Sequence, residues 1–264
     1  MRENLVIGNT SQLSFYFPKE YIYISSRNID NSIYESQYNY IYILFAEQRT
    51  FLNEDQDFFN KVNVDYTIEL IEKFKEISNK IVIYSTSELW NNIEGSVSVD
   101  TKYDYNETPY IKSKEILCNK IKNNRNYYNN VVIIYPFNFN SIYRKPGFLF
   151  SKIFNSILNG DKNEIGDINF NRDLIHPSVI VRESIGATED KLIGSGELIN
   201  ISKFVEDLFK GLNLYINDYI KIGDSNFLKN KRNEYYSSIK YSNYDELLSL
   251  TIEEIKIKKY DKIS

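Results

Sequence analysis

The chain has 264 residues, 42% of them hydrophobic and 26% charged, a globular profile that suits one large domain or a domain with a smaller lobe. A net charge of −4 and a pI near 5.3, with no basic block and no run of ~18 apolar residues, argue against a nucleic-acid partner and a membrane span. One cysteine, Cys118, and one histidine, His176, exclude an internal disulfide, a cysteine metal cluster and any site needing two histidine ligands, so no metal is expected.

Met1-Arg2-Glu3-Asn4 leads into a short apolar run without the length or cleavage site of a signal peptide, and the cytoplasm is the expected compartment. Asn4 to Gly8 reads as a first strand running into a turn. Tyr21 to Ile24, Tyr40 to Phe45, Lys80 to Tyr84 and Val131 to Tyr135 read as the next four. These runs are continuously apolar rather than alternating, as strands covered on both faces require. Helical spacing marks a segment from about Asn60 to Ile77, carried by Val64, Ile68, Leu70, Ile71 and Phe74. It marks another from Ile111 to Lys122, with Cys118 read as a packing residue. A third follows Ile201, with Phe204, Val205, Leu208 and Phe209 behind a Ser202 cap. Strand and helix alternate through residue 135, which points to an α/β, Rossmann-like doubly wound parallel sheet with right-handed crossovers. Residues 1–137 are expected to form the domain built on this sheet. Residues 138–264, where the alternation weakens, are expected to form a smaller C-terminal substrate-binding lobe that partly returns to it. Residues 229–264 are charged and Tyr-rich and carry no assigned element.

In such a sheet, ligands bind beyond the carboxyl ends of the strands. The first strand ends Gly8-Asn9-Thr10-Ser11-Gln12-Leu13-Ser14. This keeps the G-x-x-G-x-x-G spacing of a dinucleotide turn, with serine at the second and third glycine positions. Gly8, Thr10, Ser11, Gln12 and Leu13 are the candidate cofactor residues, and the helix after them looks short because Pro18 comes so soon. After the second strand stand Ser25-Ser26-Arg27. An NAD site would place an acidic residue here for the ribose 2′-hydroxyl. Ser26 and Arg27 suit a 2′-phosphate instead, so NADP is expected, with NAD left open.

Tyr110 and Lys114 follow Thr108-Pro109 and stand four apart, on one face of a helix. An ammonium beside a phenol favours the phenolate and brings a pKa near 10 toward working pH. The pair is then a general base for an alcohol or sugar hydroxyl. A hydroxyl from the strand-end segment Ser85-Thr86-Ser87 could hold the same substrate oxygen.

These pieces, in this order, resemble the extended short-chain dehydrogenase/reductase family of NAD(P)-dependent nucleotide-sugar epimerases and dehydratases, closest in motifs to the GDP-mannose 4,6-dehydratases. Ser85-Thr86-Ser87-Glu88-Leu89-Trp90 is similar to their S-T-S-E-L-Y segment. Gly8 through Phe17 resembles G-x-T-G-Q-x-G-x-Y-L. Phe137-Asn138, Ser141, Arg144, Phe148, Lys152-Ile153 and Ser156 follow F-N-x-x-S-x-x-R-x-x-x-F-x-x-K-I-x-x-S. Arg172-Asp173 with His176 resembles R-D-x-x-H, Asn63 with Thr67 resembles N-x-x-x-T, and Gly194 to Glu197 resembles the family's G-x-G-E segment.

The resemblance implies roles. Tyr110 would be the acid or base at the sugar C4 hydroxyl, Lys114 would tune it and bind the nicotinamide ribose, and Thr86 would hold the C4 oxygen. Glu88 would take the C5 proton. Ser87, Asn138, Arg144 and Arg172 would contact a nucleotide-linked sugar, with Asn138 and Arg172 at its diphosphate. Relatives pair through helices, so a homodimer using the Tyr110–Lys122 segment is expected. Three readings stand open: a 4,6-dehydratase, a 4-keto-sugar reductase or epimerase of the same fold, and a degenerate relative without catalysis. The chain length and Gln12-Leu13 favour the second, and the altered glycine turn favours the third.

Overall fold

The computed structural model describes residues 2–49, 54–223 and 233–263. Of the unassigned stretch 229–264, residues 229–232 and 264 lie outside the described residues. The chain divides into two compact units: Met1–Asn92, Val99–Pro136 and Val181–Ile193 form the first, and Ile93–Ser98, Phe137–Ile180 and Gly194–Ser264 the second.

The first unit is built on a six-stranded parallel sheet. Its spatial order is Ile22–Ile24, Glu3–Ile7, Tyr38–Ile43, Ser78–Tyr84, Val131–Pro136, Lys191–Ile193. The apolar runs become these strands because the interior strands are covered on both faces. Val131–Pro136 is buried along its whole length. Chain order reverses between Glu3–Ile7 and Tyr38–Ile43, and that switch point opens the ligand crevice of such sheets. The last strand, Lys191–Ile193, adds to the five read from the sequence. It is three residues long, too short to carry a periodicity.

Helices fill the later crossovers. Gln56–Asn60, a π-helical turn Lys61–Tyr66, and Thr67–Phe74 form one continuous helical rod, and Pro109–Lys122 is the next. The first two crossovers hold only 3₁₀ turns, Gln12–Tyr16 and Asn31–Glu35. The sheet near them is covered by rings instead. Phe17 and Tyr21 pack on Tyr42 with centroids 4.7 and 6.1 Å away, and Tyr40 stacks on Tyr42 at 5.9 Å. The tyrosine and phenylalanine wealth of the sequence thus replaces a helix here.

In the second unit, helices Leu149–Asn159, Ile201–Gly211 and Tyr244–Ile263 share a core that includes Phe154, Phe204, Leu208, Leu247 and Ile255. Ser202 is not the cap of the second of these. Asn200, extended at φ −70° and ψ 121°, caps it by accepting from Lys203 N at 3.0 Å. Ser202 is already helical, and its hydroxyl donates to Glu206 at 3.3 Å. Asp173, fully buried, ties this unit together. Its Oδ1 accepts from Ser195 N (2.6 Å) and Ser195 Oγ (2.7 Å), and its Oδ2 from Gly196 N (3.1 Å) and Ser237 N (2.9 Å). Among the described residues no helix is long and apolar enough to cross a membrane.

Candidate active site

The fourth strand, Ser78–Tyr84, delivers Ser85 through Glu88 to the carboxyl edge of the sheet. Thr86 is extended and caps a short 3₁₀ turn, Ser87–Trp90. Its Oγ1 accepts from Glu88 N at 3.2 Å, which leaves its O–H available to donate. Ser87 is buried at 2% exposure. Glu88 is half-buried, and its Oε2 accepts from Asn91 Nδ2 at 3.1 Å.

The helix Pro109–Lys122 begins at a Thr108 cap, whose Oγ1 accepts from Ile111 N at 3.3 Å, with Pro109 at its first position. Tyr110, Lys114 and Cys118 follow one another at helical-turn spacing. Lys114 Nζ donates to Tyr84 O at 2.9 Å, and Cys118 Sγ to Ser85 Oγ at 3.1 Å. Those contacts lay this helix face along the strand exit. Tyr110 occupies the turn before Lys114, half-buried, with its ring edge-on to Phe59 at 6.4 Å. Lys114 is only 3% exposed. Burial pulls its ammonium down from an ordinary 10.5 to about 8, opposed by the Cys118 sulfur. An ammonium carries three donors, and the hydrogen bond to Tyr84 O is its one bond among the described residues.

Asn63 has a part that the sequence reading did not assign. It sits in the π-helical turn, 1% exposed. It accepts from Glu47 N (2.8 Å) and donates to Glu47 O (2.9 Å) and Ser113 Oγ (2.9 Å). Ser113 Oγ in turn donates to Tyr110 O at 2.6 Å. The exit of the third strand is thereby tied to the helix that carries Tyr110. The available signal was an amide placed on the buried side of an apolar helix, where it needs partners.

At the first strand's exit Gly8 has φ +105°, a conformation that favours glycine, and a Cβ there would meet Phe45 N at 3.1 Å. Glycine at this position therefore answers to the neighbouring main chain. Ser11 is extended at φ −68° and tolerates a side chain. Ser14, 4% exposed, turns its hydroxyl inward to Asn9 O (2.9 Å) and Ser11 O (2.6 Å). Leu13 is buried, Thr10 exposed, and Gln12 Oε1 is buried with no partner among the described residues. After the second strand, Ser26 O accepts from Tyr66 OH and Arg27 is exposed. Tyr66 and Phe45 rings lie 5.2 Å apart.

In the second unit, Asn138 pairs with Leu174 in a short parallel ladder, two residues from Arg172. The Arg172 guanidinium lies 5.0 Å from the Phe170 ring and donates to Asn171 O at 2.6 Å. Arg144 lies over the Phe148 ring at 4.1 Å. His176 is buried, with Nδ1 2.7 Å from Ser178 Oγ and Nε2 3.4 Å from Glu254.

A sequence model described as GDP-mannose 4,6 dehydratase matches residues 25–259. No curated protein matches the chain. Several solved structures share its fold. One is a UDP-N-acetylglucosamine 4-epimerase from Methanobrevibacter ruminantium in complex with UDP-N-acetylmuramic acid, at 15% identity and TM-score 0.79, covering 100% of this chain and 99% of that one. A dTDP-glucose 4,6-dehydratase from Bacillus anthracis in complex with NAD is 17% identical, with TM-score 0.73 and 97% of each chain covered. The structure of RMD from Pseudomonas aeruginosa complexed with NADPH is 14% identical, with TM-score 0.72, covering 97% of this chain and 99% of that one.

Proposed function

The chain belongs to the GDP-mannose 4,6-dehydratase family of nucleotide-sugar epimerases and dehydratases, and from that premise we propose that it is an NADP-dependent 4,6-dehydratase of a nucleotide-linked hexose. The observation that carries the reading is Lys114, a buried ammonium with two donors to spare, on the helix face that also bears Tyr110. A buried cation with unused donors needs acceptors, and the hydroxyls of a nicotinamide ribose supply them. Gln12 Oε1, buried and unpartnered, is an acceptor in the same search for a ligand. Ser14 fits a dinucleotide turn because its hydroxyl is spent on the turn's own carbonyls.

In this reading Gly8, Thr10, Ser11, Gln12, Leu13, Ser26, Arg27 and Lys114 hold the cofactor. Arg27 meets a 2′-phosphate, since a guanidinium suits a phosphate dianion. When bound, the nicotinamide supplies the acceptor for one hydride from sugar C4 and later returns it at C6, so the net change is loss of one water. Tyr110 takes the C4 hydroxyl proton, and Thr86 donates to the C4 oxygen as it becomes a ketone. That ketone acidifies C5–H, and Glu88 takes the C5 proton. Glu88 then gives that proton to the departing C6 hydroxyl, which leaves as water. C5 is reprotonated as the hydride arrives at C6, which balances the proton that Tyr110 took from the C4 hydroxyl and releases. Asn138, Arg144 and Arg172 provide amide and cationic groups for the nucleotide diphosphate, and Ser87 supports the sugar. Pairing of two chains through Pro109–Lys122 belongs to the same reading.

A second reading, an NADPH-dependent 4-keto-sugar reductase or epimerase, is favoured by Gln12-Leu13. Incubation with NADP and GDP-mannose, dTDP-glucose or UDP-N-acetylglucosamine, and with NADPH and a nucleotide-linked 4-keto sugar, separates the two. A 4-keto product lighter by one water, without net cofactor change, supports the dehydratase. Net NADPH oxidation on a 4-keto sugar supports the reductase. No product and no bound cofactor point to a non-catalytic relative. In the dehydratase case Glu88→Gln stops elimination.

A further inference from the structure

Glu88 sits on a turn only four residues long, and a carboxylate on so short an element needs an external hold to act at one carbon. Its Oε2 accepts from Asn91 Nδ2 at 3.1 Å. The other arm of the same amide, Asn91 Oδ1, accepts from Asn106 N at 2.8 Å. Asn106 lies in the loop that ends at the Thr108 cap of the helix carrying Tyr110. That loop is fastened to the 3₁₀ turn at further points: Asp104 N donates to Leu89 O (3.0 Å), Asn92 N to Asp104 O (3.1 Å), Asn92 Nδ2 to Asp104 Oδ1 (3.0 Å) and Trp90 Nε1 to Thr101 O (2.8 Å). These bonds hold the loop whether or not Glu88 is present. Asn91 is the member of the lacing that also holds a candidate catalytic group.

We propose that Asn91 is a positioning residue, whose amide fixes the Glu88 carboxylate relative to the loop before Tyr110 and so aims it at the sugar C5 proton. The inference rests on the dehydratase reading. The two arms have separable chemistry. One only donates and one only accepts, so Asn91→Asp keeps an acceptor for Asn106 N and places a second carboxylate oxygen against Glu88. Misplacing a reacting group by about 1 Å costs on the order of 10²-fold in rate.

The test compares Asn91→Asp, Asn91→Ala, Asn92→Ala and Glu88→Gln in the holoenzyme. The readouts are kcat and KM for the nucleotide sugar, the thermal midpoint, and solvent deuterium uptake at C5 of the 4-keto product followed by NMR. The exchange readout asks for proton transfer alone. Asn91→Asp is expected to lower both kcat and the exchange rate about 10²-fold, with KM and thermal midpoint close to the parent. A crystal structure of that variant is expected to show the Glu88 carboxylate turned away from residue 91. Asn92→Ala, which removes the bond to Asp104 Oδ1 and keeps the Asn91 amide on Glu88, is expected to leave exchange unchanged. Parent-like exchange in Asn91→Asp while Glu88→Gln abolishes it overturns the proposal alone. Equal losses in Asn91→Ala and Asn92→Ala, matched by falling thermal midpoints, overturn it in favour of a loop-holding role. Full exchange in Glu88→Gln, or no elimination by the parent on any of the three sugars, removes the dehydratase reading and this inference with it.

Discussion

Replacing Lys114 by methionine is expected to stabilise the protein at neutral pH while abolishing its activity. Burial pulls Lys114 from 10.5 to about 8. At about 1.4 kcal/mol per pH unit, holding the charged form inside costs the fold about 3 kcal/mol. The unfolded chain keeps its extra proton between about pH 8 and 10.5, so stability rises with pH across that window and the whole penalty is present below it. Methionine is unbranched and of similar length, so it fills the same space. The substitution leaves Tyr84 O without the hydrogen bond it now receives, a loss of roughly 1–2 kcal/mol. The difference is a gain of roughly 1–2 kcal/mol at pH 7, a rise of a few degrees in thermal midpoint for a protein of this size. At pH 10 the parent lysine is largely neutral, and the gain gives way to a small loss. Urea denaturation at pH 7 and pH 10, followed by the fluorescence of Trp90, reads both values. A variant that is less stable at pH 7 by the same margin as at pH 10 would refute the charge-burial argument. Such a result would show that Lys114 is held by compensating contacts and has no donors to spare.

Tyr110→Phe is expected to lower kcat by about 10²–10⁴-fold, the usual range for a lost general acid or base, with an unchanged thermal midpoint; parent-like turnover would remove the assignment. Arg27→Ala is expected to weaken NADPH binding about 10-fold or more, as loss of a charge-assisted contact implies, and to spare NADH. Calorimetric titration with the two cofactors reads this, and a parallel loss for both would take Arg27 away from the 2′-phosphate. Asp173→Asn keeps the oxygen facing Ser195 but turns an N–H₂ toward the amides of Gly196 and Ser237. Two donors then face a donor, and a destabilisation of about 2–4 kcal/mol is expected in denaturant titration; a change under 1 kcal/mol would mean the turn relaxes around residue 173.

Some of the candidate site was legible because it is local. Tyr110 and Lys114 are four apart on a capped helix, and a Thr-Pro start with i, i+4 spacing can be read from seven letters. Thr86 was legible for the same reason, as a hydroxyl directly after an apolar strand, whereas Glu88 was marked only by the resemblance of Ser85 to Trp90 to the S-T-S-E-L-Y segment. Asn63 and Asn91 were not legible in this way. Asparagine is common in this chain, the N-x-x-x-T resemblance marked Asn63 without giving it a role, and the part each of the two plays depends on a partner 16, 50 or 15 residues away. The Ser202 cap failed on a boundary of two residues, because Asn200 and Ser202 are both good caps and only the backbone angles show which one is extended.

Composition and periodicity by themselves determined that this is a parallel α/β sheet with covered faces, because continuous apolar runs alternating with amphipathic helices bury their surface stably in few other ways. Tertiary structure alone decided that the first crossovers are 3₁₀ turns roofed by aromatic rings, that Gly8 takes φ +105° close against the main chain of Phe45, and that the Lys114 ammonium lies buried against Tyr84 O, 30 residues earlier in the chain. Each of these depends on which distant atoms occupy the adjoining space, and that information exists only once the chain has folded.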